Sequence, residues 1–463
     1  MTVLAFLGAF GLLVAIHEWG HYRMAVACGV KVETFSIGLG RPLWRWRSRH
    51  PFPQQETEFL ICWIPLGGYV KMLEHDISQI SPEDKSMALS RQPLWKRTAI
   101  VSAGPLANLI FAAVLFCSIG WIGQFETKPI LASPRPGSVA ESAGLIGGEL
   151  VLRAGVSPSS MHDIVSMEAL NWWAIQQNFL HEELWLDVES GDGQRLHKFS
   201  LNDALSSNST SHETMGLSAL GWDGAWSAPV IGEIQPGLAA ERSGLQPGDL
   251  VLSVDAISVK DARTLRTFIR SSRDGVQKKP QMWAIQRPGV GLIRLEVTPD
   301  LITEKGMQLG RVGAYIGAPA QRVWVQAGLW DGLIRGIWQT RELIGMTLGM
   351  IRQLLTGQAS LDNLAGPLSM AEYAGQSASF GFTAYLSYLA LISVNLGVFN
   401  LLPLPILDGG HLLYYLYEAM TGRAPTAQWL DVLQRGGLVI LLALMLFSFF
   451  NDLVRMGWVT DFF

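Results

Sequence analysis

His17-Glu18-Trp19-Gly20-His21 puts two imidazoles and a carboxylate within five residues. On a helix, residues i and i+4 share a face, so His17 and His21 can present two nitrogens to one cation. Glu18 projects beside them, placed to take a proton from a water that the cation activates. A catalytic zinc site takes three protein ligands and leaves a fourth position for water. The third ligand must therefore come from elsewhere, and Asp408, in Asn400-Leu401-Leu402-Pro403-Leu404-Pro405-Ile406-Leu407-Asp408-Gly409-Gly410, is the candidate. An acidic helix cap before the two glycines is the other use for an aspartate there. Asn400 can donate to a developing oxyanion or a substrate carbonyl. Either Asn395 or Asn400 can instead join helices by side-chain hydrogen bonds. His411 reads as a group behind the ligands and not as a ligand.

These residues lie in apolar chain. Of the 463 residues 49% are apolar and 16% charged, and the mean hydropathy is +0.24, against roughly 25% charged in soluble proteins. That excludes an ordinary soluble enzyme and a disordered chain. A net charge of -4 gives no reason to expect nucleic acid. Three cysteines, Cys28, Cys62 and Cys117, match no metal spacing and make no disulfide framework. Charge-free runs at Met1–Ile16, Thr98–Phe125, Tyr373–Leu407 and Gly436–Asn451 each supply most of the ~20 residues a membrane helix needs. The expected class is an α-helical membrane protein with four transmembrane helices. The first span lacks a basic start and carries ionisable residues, so it is expected to be retained and not cleaved as an export signal.

Ionisable residues inside a span cost on the order of 2.5–3.5 kcal/mol each on insertion scales and mark functional interiors. His17 and His21 fall in the inner half of span one, and Asp408 toward the inner end of span three, so their depths agree. Pro403 and Pro405 break the helix there, and irregular backbone at membrane depth is tolerated only where it is buried or lines a cavity. Arg41, Arg45, Arg47, Arg49, Lys96 and Arg97 between spans one and two make that segment cytoplasmic by the positive-inside rule. Both termini and the stretch from about Gln124 to Ala374 then lie outside.

The outer stretch repeats itself. Residues 136–152 recur at 236–252, an offset of 100, with ten of 17 positions identical, so two copies of one fold are expected. They resemble the PDZ domains of bacterial envelope proteases, mixed α/β modules that hold extended peptides beside a strand, with Pro229–Ile234 as the expected groove strand of the second. Trp172-Trp173 and a polar insertion at Ser206–Thr214 set the first copy apart. Leu329–Leu355 spaces Ile344, Leu348, Ile351 and Leu355 as an amphipathic helix would. In the cytoplasmic segment, Val32–Gly40 and Glu58–Pro65 read as strands, with Gly67-Gly68 turning into Tyr69-Val70-Lys71-Met72. An unpaired strand edge there can hold an unwound substrate as an added strand, which makes Gly67, Gly68, Tyr69 and Val70 candidate substrate contacts.

HExxH in span one, Gly104-Pro105-Leu106-Ala107-Asn108 opening span two, tandem PDZ-like modules, and Asn-x-x-Pro-x-Pro-x-Leu-Asp-Gly-Gly ending span three occur in this order in site-2 proteases. The chain resembles that family over essentially its whole length, specifically its bacterial type with tandem PDZ domains in sigma-E stress signalling. The resemblance implies a zinc intramembrane endopeptidase, with one Zn2+ per chain on His17, His21 and Asp408, Glu18 as catalytic base, and a β-loop dipping into the membrane beside the metal. It implies a bacterial inner-membrane location and substrates that are pre-trimmed single-span proteins, such as an anti-sigma factor, or remnant signal peptides.

The expected division is 1–26 span one, 27–97 the β-loop, 98–123 span two, 124–222 and 223–310 the PDZ-like domains, 311–374 amphipathic helices, 375–411 span three, and 412–463 span four with the C-terminus. Two readings compete. A membrane-anchored PDZ scaffold would survive alteration of His21. A metal-handling transporter of the inverted-repeat kind would show related halves among its spans, whereas the repetition lies only in the outer modules.

Overall fold

The computed structural model describes residues 2–51, 54–73, 84–177, 183–191, 193–200, 217–222, 224–271, 273–274, 277–304, 307–357 and 366–455; the insertion at Ser206–Thr214 lies outside them. The chain forms two compact units, Met1–Gln124 with Gln326–Phe463, and Phe125–Val325.

Among the described residues the first unit has seven α-helices: α1 (Thr2–Ala27), α2 (Leu94–Ile122), α3 (Leu329–Leu355), α4 (Pro367–Phe380), α5 (Phe382–Asn400), α6 (Asp408–Thr421) and α7 (Ala427–Arg455). Four stretches, α1, α2, α5 and Gln428–Val454 of α7, are long and apolar enough to cross a membrane. The third differs from the continuous span expected over 375–411. Gly381, at φ +116, separates α4 from α5. Beyond Asn400 the chain turns through Leu401–Leu407, where Pro403 and Pro405 supply no N–H to a helical ladder, and a new helix starts at Asp408. α2 begins at Leu94, earlier than the expected 98, and takes Lys96 and Arg97 into its first turn.

Half of the apolar window of α2 is buried, against 12% for the last span, so α2 is the central helix. Lipid gives helices no hydrophobic reason to associate, and small residues permit the close approach that does. A Cβ at Gly20 of α1 would collide with the Ala103 carbonyl, and one at Gly397 of α5 would lie 2.9 Å from Leu109 and 3.0 Å from the Pro105 carbonyl. The Ser393 hydroxyl adds a hydrogen bond to the Asn108 carbonyl at 2.8 Å. Helix α3 is joined to the far end of α2 where Trp121 Nε1 donates to the Leu329 carbonyl at 3.0 Å.

Between α1 and α2 runs a ribbon of β1 (Val32–Pro51) and β2 (Gln54–Met72), both longer than the strands expected from sequence. Thr34–Ile37 pairs with Glu58–Ile61 on one side and with Gly68–Lys71 on the other, while Pro42–Pro51 zips against Gln54–Cys62. The chain comes back through Gly67, at φ +113. Gly68–Met72 is thereby an outer strand whose second edge is unpaired among the described residues. Tyr22 of α1 packs against Phe35 and Phe59 at 5.7 and 5.5 Å, and Trp46 stacks on Phe59 at 5.2 Å, fixing the ribbon to the helix.

In the second unit the two sequence copies fold alike. Each has a short helix, Val139–Ser142 or Ala239–Arg242, and a four-stranded sheet of one order: Met161–Asp163, Leu150–Gly155, Glu183–Ser190, Gly193–Ser200 in the first copy, and Ile257–Ser258, Leu250–Val254, Gln281–Arg287, Gly291–Val297 in the second. Each has its own core, around Leu170 and Trp222 in one and Leu265 and Trp283 in the other. Asp261 links them: one oxygen accepts from Thr264 N as a helix cap and the other from Ser133 N, both at 2.7 Å. The strand Ala314–Ile316 pairs with Ile231–Ile234, so the second copy runs past the expected 310. That pairing takes one edge of the strand expected to line a groove. A cavity in this copy is lined by Glu233 of that strand together with Arg266, Arg270, Arg311, Gly313 and Tyr315.

The shared acidic position, Glu149 or Asp249, accepts turn amides in both copies, and Asp249 also binds Arg287 at 2.8 Å. Burial alone would raise the Asp249 carboxyl; hydrogen bonds from Arg287 and the Gln246 amide outweigh it and hold the pKa below the ordinary 3.8. A depressed pKa gives stability that is full above the unfolded value and lost as pH falls through the folded one. Asp249→Asn is expected to destabilise the second unit by about 3 kcal/mol at neutral pH. In calorimetry of the purified chain, the gap to wild type should narrow as pH drops below about 4.

Candidate metal centre

His17 and His21 stand on one face of α1 with side chains 12% and 10% exposed, and Asp408, the first residue of α6, is 20% exposed. Asp408 Oδ2 lies 3.2 Å from His17 Nε2 and 3.4 Å from His21 Nε2, and the two nitrogens are 3.2 Å apart. One donor atom from each residue falls within a 4.8 Å cluster, the arrangement a metal ion requires.

The protons explain why these atoms converge. His21 Nδ1 lies 2.8 Å from the Ile100 carbonyl and donates to it, which leaves the Nε2 of a neutral ring with a lone pair. His17 Nδ1 is 3.3 Å from the Asn108 amide nitrogen, while the amide oxygen is buried without a partner. A flip exchanges the two amide atoms, and with the oxygen facing His17 it accepts from Nδ1–H, which satisfies both groups. Two Nε2 lone pairs then face Asp408 Oδ2, itself buried without a hydrogen bond. Three acceptors with no proton among them repel unless a cation sits between them. The donor set, two imidazoles and one carboxylate, fits zinc with a position left for water.

Two glycines let backbone close over the site. A Cβ at Gly104 of α2 would collide with the His21 ring. One at Gly68 would lie 2.9 Å from Glu18 Cγ and from Val14, so the outer strand of the ribbon starts directly against Glu18. Glu18 in turn is near enough to interact electrostatically with His17, His21 and Asp408.

Residues 5–444 match Peptidase family M50. The Salmonella typhimurium regulator of sigma-E protease RseP is 35% identical over 457 residues, with 98% of each chain covered. The Escherichia coli K12 protein of that name is 33% identical over 462 residues, again at 98% of each. A Ralstonia nicotianae protein provisionally named a zinc metalloprotease is 36% identical over 473 residues, covering 98% of this chain and 99% of that one. The chain belongs to peptidase family M50. It is a metalloprotease, with four candidate membrane helices.

The remaining candidates of this M50 protease are placed differently from one another. Asn395 Oδ1 accepts from the Thr347 hydroxyl at 2.9 Å, so it joins α5 to α3. Asn400 ends α5, half-buried, and its side chain makes no hydrogen bond to the protein among the described residues. Gly67, Gly68, Tyr69 and Val70 all fall in β2, at the start of its outer strand. His411 lies edge-on to Tyr414 at 5.9 Å, outside the ligand cluster. Sequence reasoning gave no role to Ile100, Gly104 and Asn108 beyond noting the last two in a motif; their spacing of four is the signal that they share one helix face. Asn108→Ala is expected to weaken zinc binding about tenfold, and Gly104→Ala to abolish it by displacing His21, as read by zinc per purified chain.

Proposed function

We propose that the protein is a zinc-dependent intramembrane endopeptidase that cleaves within the membrane segments of single-span proteins. The observation that carries this reading is the convergence of two imidazole lone pairs and an unpartnered carboxylate oxygen beside Glu18, in helices apolar enough to span a bilayer. His17, His21 and Asp408 would hold one zinc ion. Bound there, zinc supplies Lewis acidity and lowers the pKa of a coordinated water toward ~7.

Glu18 takes the proton of the attacking water and delivers it to the leaving amine. Asn400, with its amide uncommitted to the protein, donates to the carbonyl oxygen. A helical substrate hides its carbonyls in its own hydrogen bonds and must be extended first. The free edge of Gly68–Met72, starting against Glu18, suits an added strand and would present the scissile bond to the site. The two outer copies act as PDZ-like modules that admit pre-trimmed substrates.

The names of the relatives support a role in sigma-E regulation, and so a substrate of the anti-sigma factor type, with remnant signal peptides as further substrates. The arginines of β1 support a reading in which the ribbon and the active site face the cytoplasmic side of a bacterial inner membrane, with both termini and the repeated modules in the periplasm.

Glu18→Gln is expected to lower cleavage of a model transmembrane peptide by at least a hundredfold with zinc content unchanged. Cleavage at the wild-type rate, or loss of zinc, would remove Glu18 from the base role.

A further inference from the structure

Asp408 begins α6, a helix of 14 residues in which only Gly409, Gly410 and Tyr414 are buried. The glycines seat its first turn against the Leu401, Leu402 and Leu404 carbonyls. One seat fixes where a helix begins and leaves its direction free. A second anchor lies a little over two turns on, where Glu418 accepts two hydrogen bonds from Arg97 of α2, Nη1 to Oε2 at 3.1 Å and Nη2 to Oε1 at 2.5 Å. The two side chains are 16% and 23% exposed, and the Arg97 guanidinium also lies 5.0 Å from the Tyr415 ring centroid. The partners are 321 residues apart in sequence. A two-pronged Arg–carboxylate pair fixes direction as well as distance.

Arg97 also belongs to a row. Positions 97, 100, 104 and 108 are spaced by three, four and four, which is one face of α2. Ile100 and Gly104 of that face contact His21, and Asn108 contacts His17. Arg97 alone in the row touches no ligand, and it grips the helix that carries the third one.

We propose that the Arg97–Glu418 pair positions Asp408, so that one face of α2 sets all three metal ligands. The pair consists of positioning residues, and the inference rests on the reading of His17, His21 and Asp408 as the zinc site. Ligand distances tolerate about 0.2 Å. From Asp408 to Glu418 the helix rises about 15 Å, so a small tilt at the far end re-aims the carboxylate.

The test is zinc affinity by chelator competition on the purified full-length chain, beside its thermal unfolding midpoint, for Arg97→Gln, Glu418→Gln, Arg97→Lys and the reversed pair R97E/E418R. Each single loss is expected to weaken zinc about tenfold, within the range for groups behind metal ligands. Arg97→Lys, which keeps charge and loses the fork, should give a smaller loss. The reversed pair should recover most of the affinity. Wild-type affinity in Arg97→Lys together with either single loss overturns the proposal. So does a folded reversed pair no tighter than the single variants. Arg97→Lys and the reversed pair decide the matter where a single loss fails to fold. Asp408→Ala separates the two ideas: wild-type affinity there would refute the zinc site itself.

Discussion

Two imidazole nitrogens and one carboxylate oxygen, all acceptors, face one another in the interior of the helical unit. In a low-dielectric interior such a set is strongly unfavourable unless a cation is shared among them. The surroundings of the site follow from this one constraint. Each imidazole must have its far nitrogen protonated, which the Ile100 carbonyl and the Asn108 amide arrange. The carboxylate must reach the same point from a helix beginning at Asp408, which the broken chain at Leu401–Leu407 makes possible. A continuous helix through that region would have carried Asp408 onward along the axis of α5 and turned its neighbours by 100° per residue.

The same constraint explains where the small residues are. Helices in lipid must come close before side chains on different helices can share an ion, and Gly20, Gly104 and Gly397 all meet a neighbouring helix at distances a Cβ would forbid. Gly68 extends the pattern to the ribbon, bringing backbone against the Glu18 side chain. Under the proposed function, a substrate strand laid on that edge would bring its backbone beside Glu18.

Much of this was legible in the sequence, and unevenly so. HExxH is a local signal, since helical periodicity alone brings His17 and His21 together. Asp408 was found by matching depth along two spans. Its cap reading is not exclusive of the ligand one, because Asp408 is also the first residue of a helix. The helix breaks were half visible: Pro403 and Pro405 announced the turn after Asn400, whereas Gly381 is one glycine among many and gave no sign that the charge-free run holds two helices. Asn395 and Asn400 share one apolar run, with Asn400 leading into the Pro403 and Pro405 turn, and the contact that commits Asn395 comes from Thr347 on a distant helix. The Arg97–Glu418 contact was invisible for the same reason, as nothing local connects residues 321 apart. In the repeat, the offset of 100 residues marked two copies that fold with one strand order, whereas the pairing of Ile231–Ile234 with Ala314–Ile316 joins residues far apart in sequence and left no local sign.

X-ray absorption at the zinc edge on the purified chain tests the central claim most directly. Two imidazole nitrogens and carboxylate or water oxygens at about 2.0–2.2 Å, with one imidazole lost in His21→Ala, is the result that follows from this geometry. A spectrum dominated by sulfur at about 2.3 Å, or one that His21→Ala leaves unchanged, would place the metal elsewhere and contradict it.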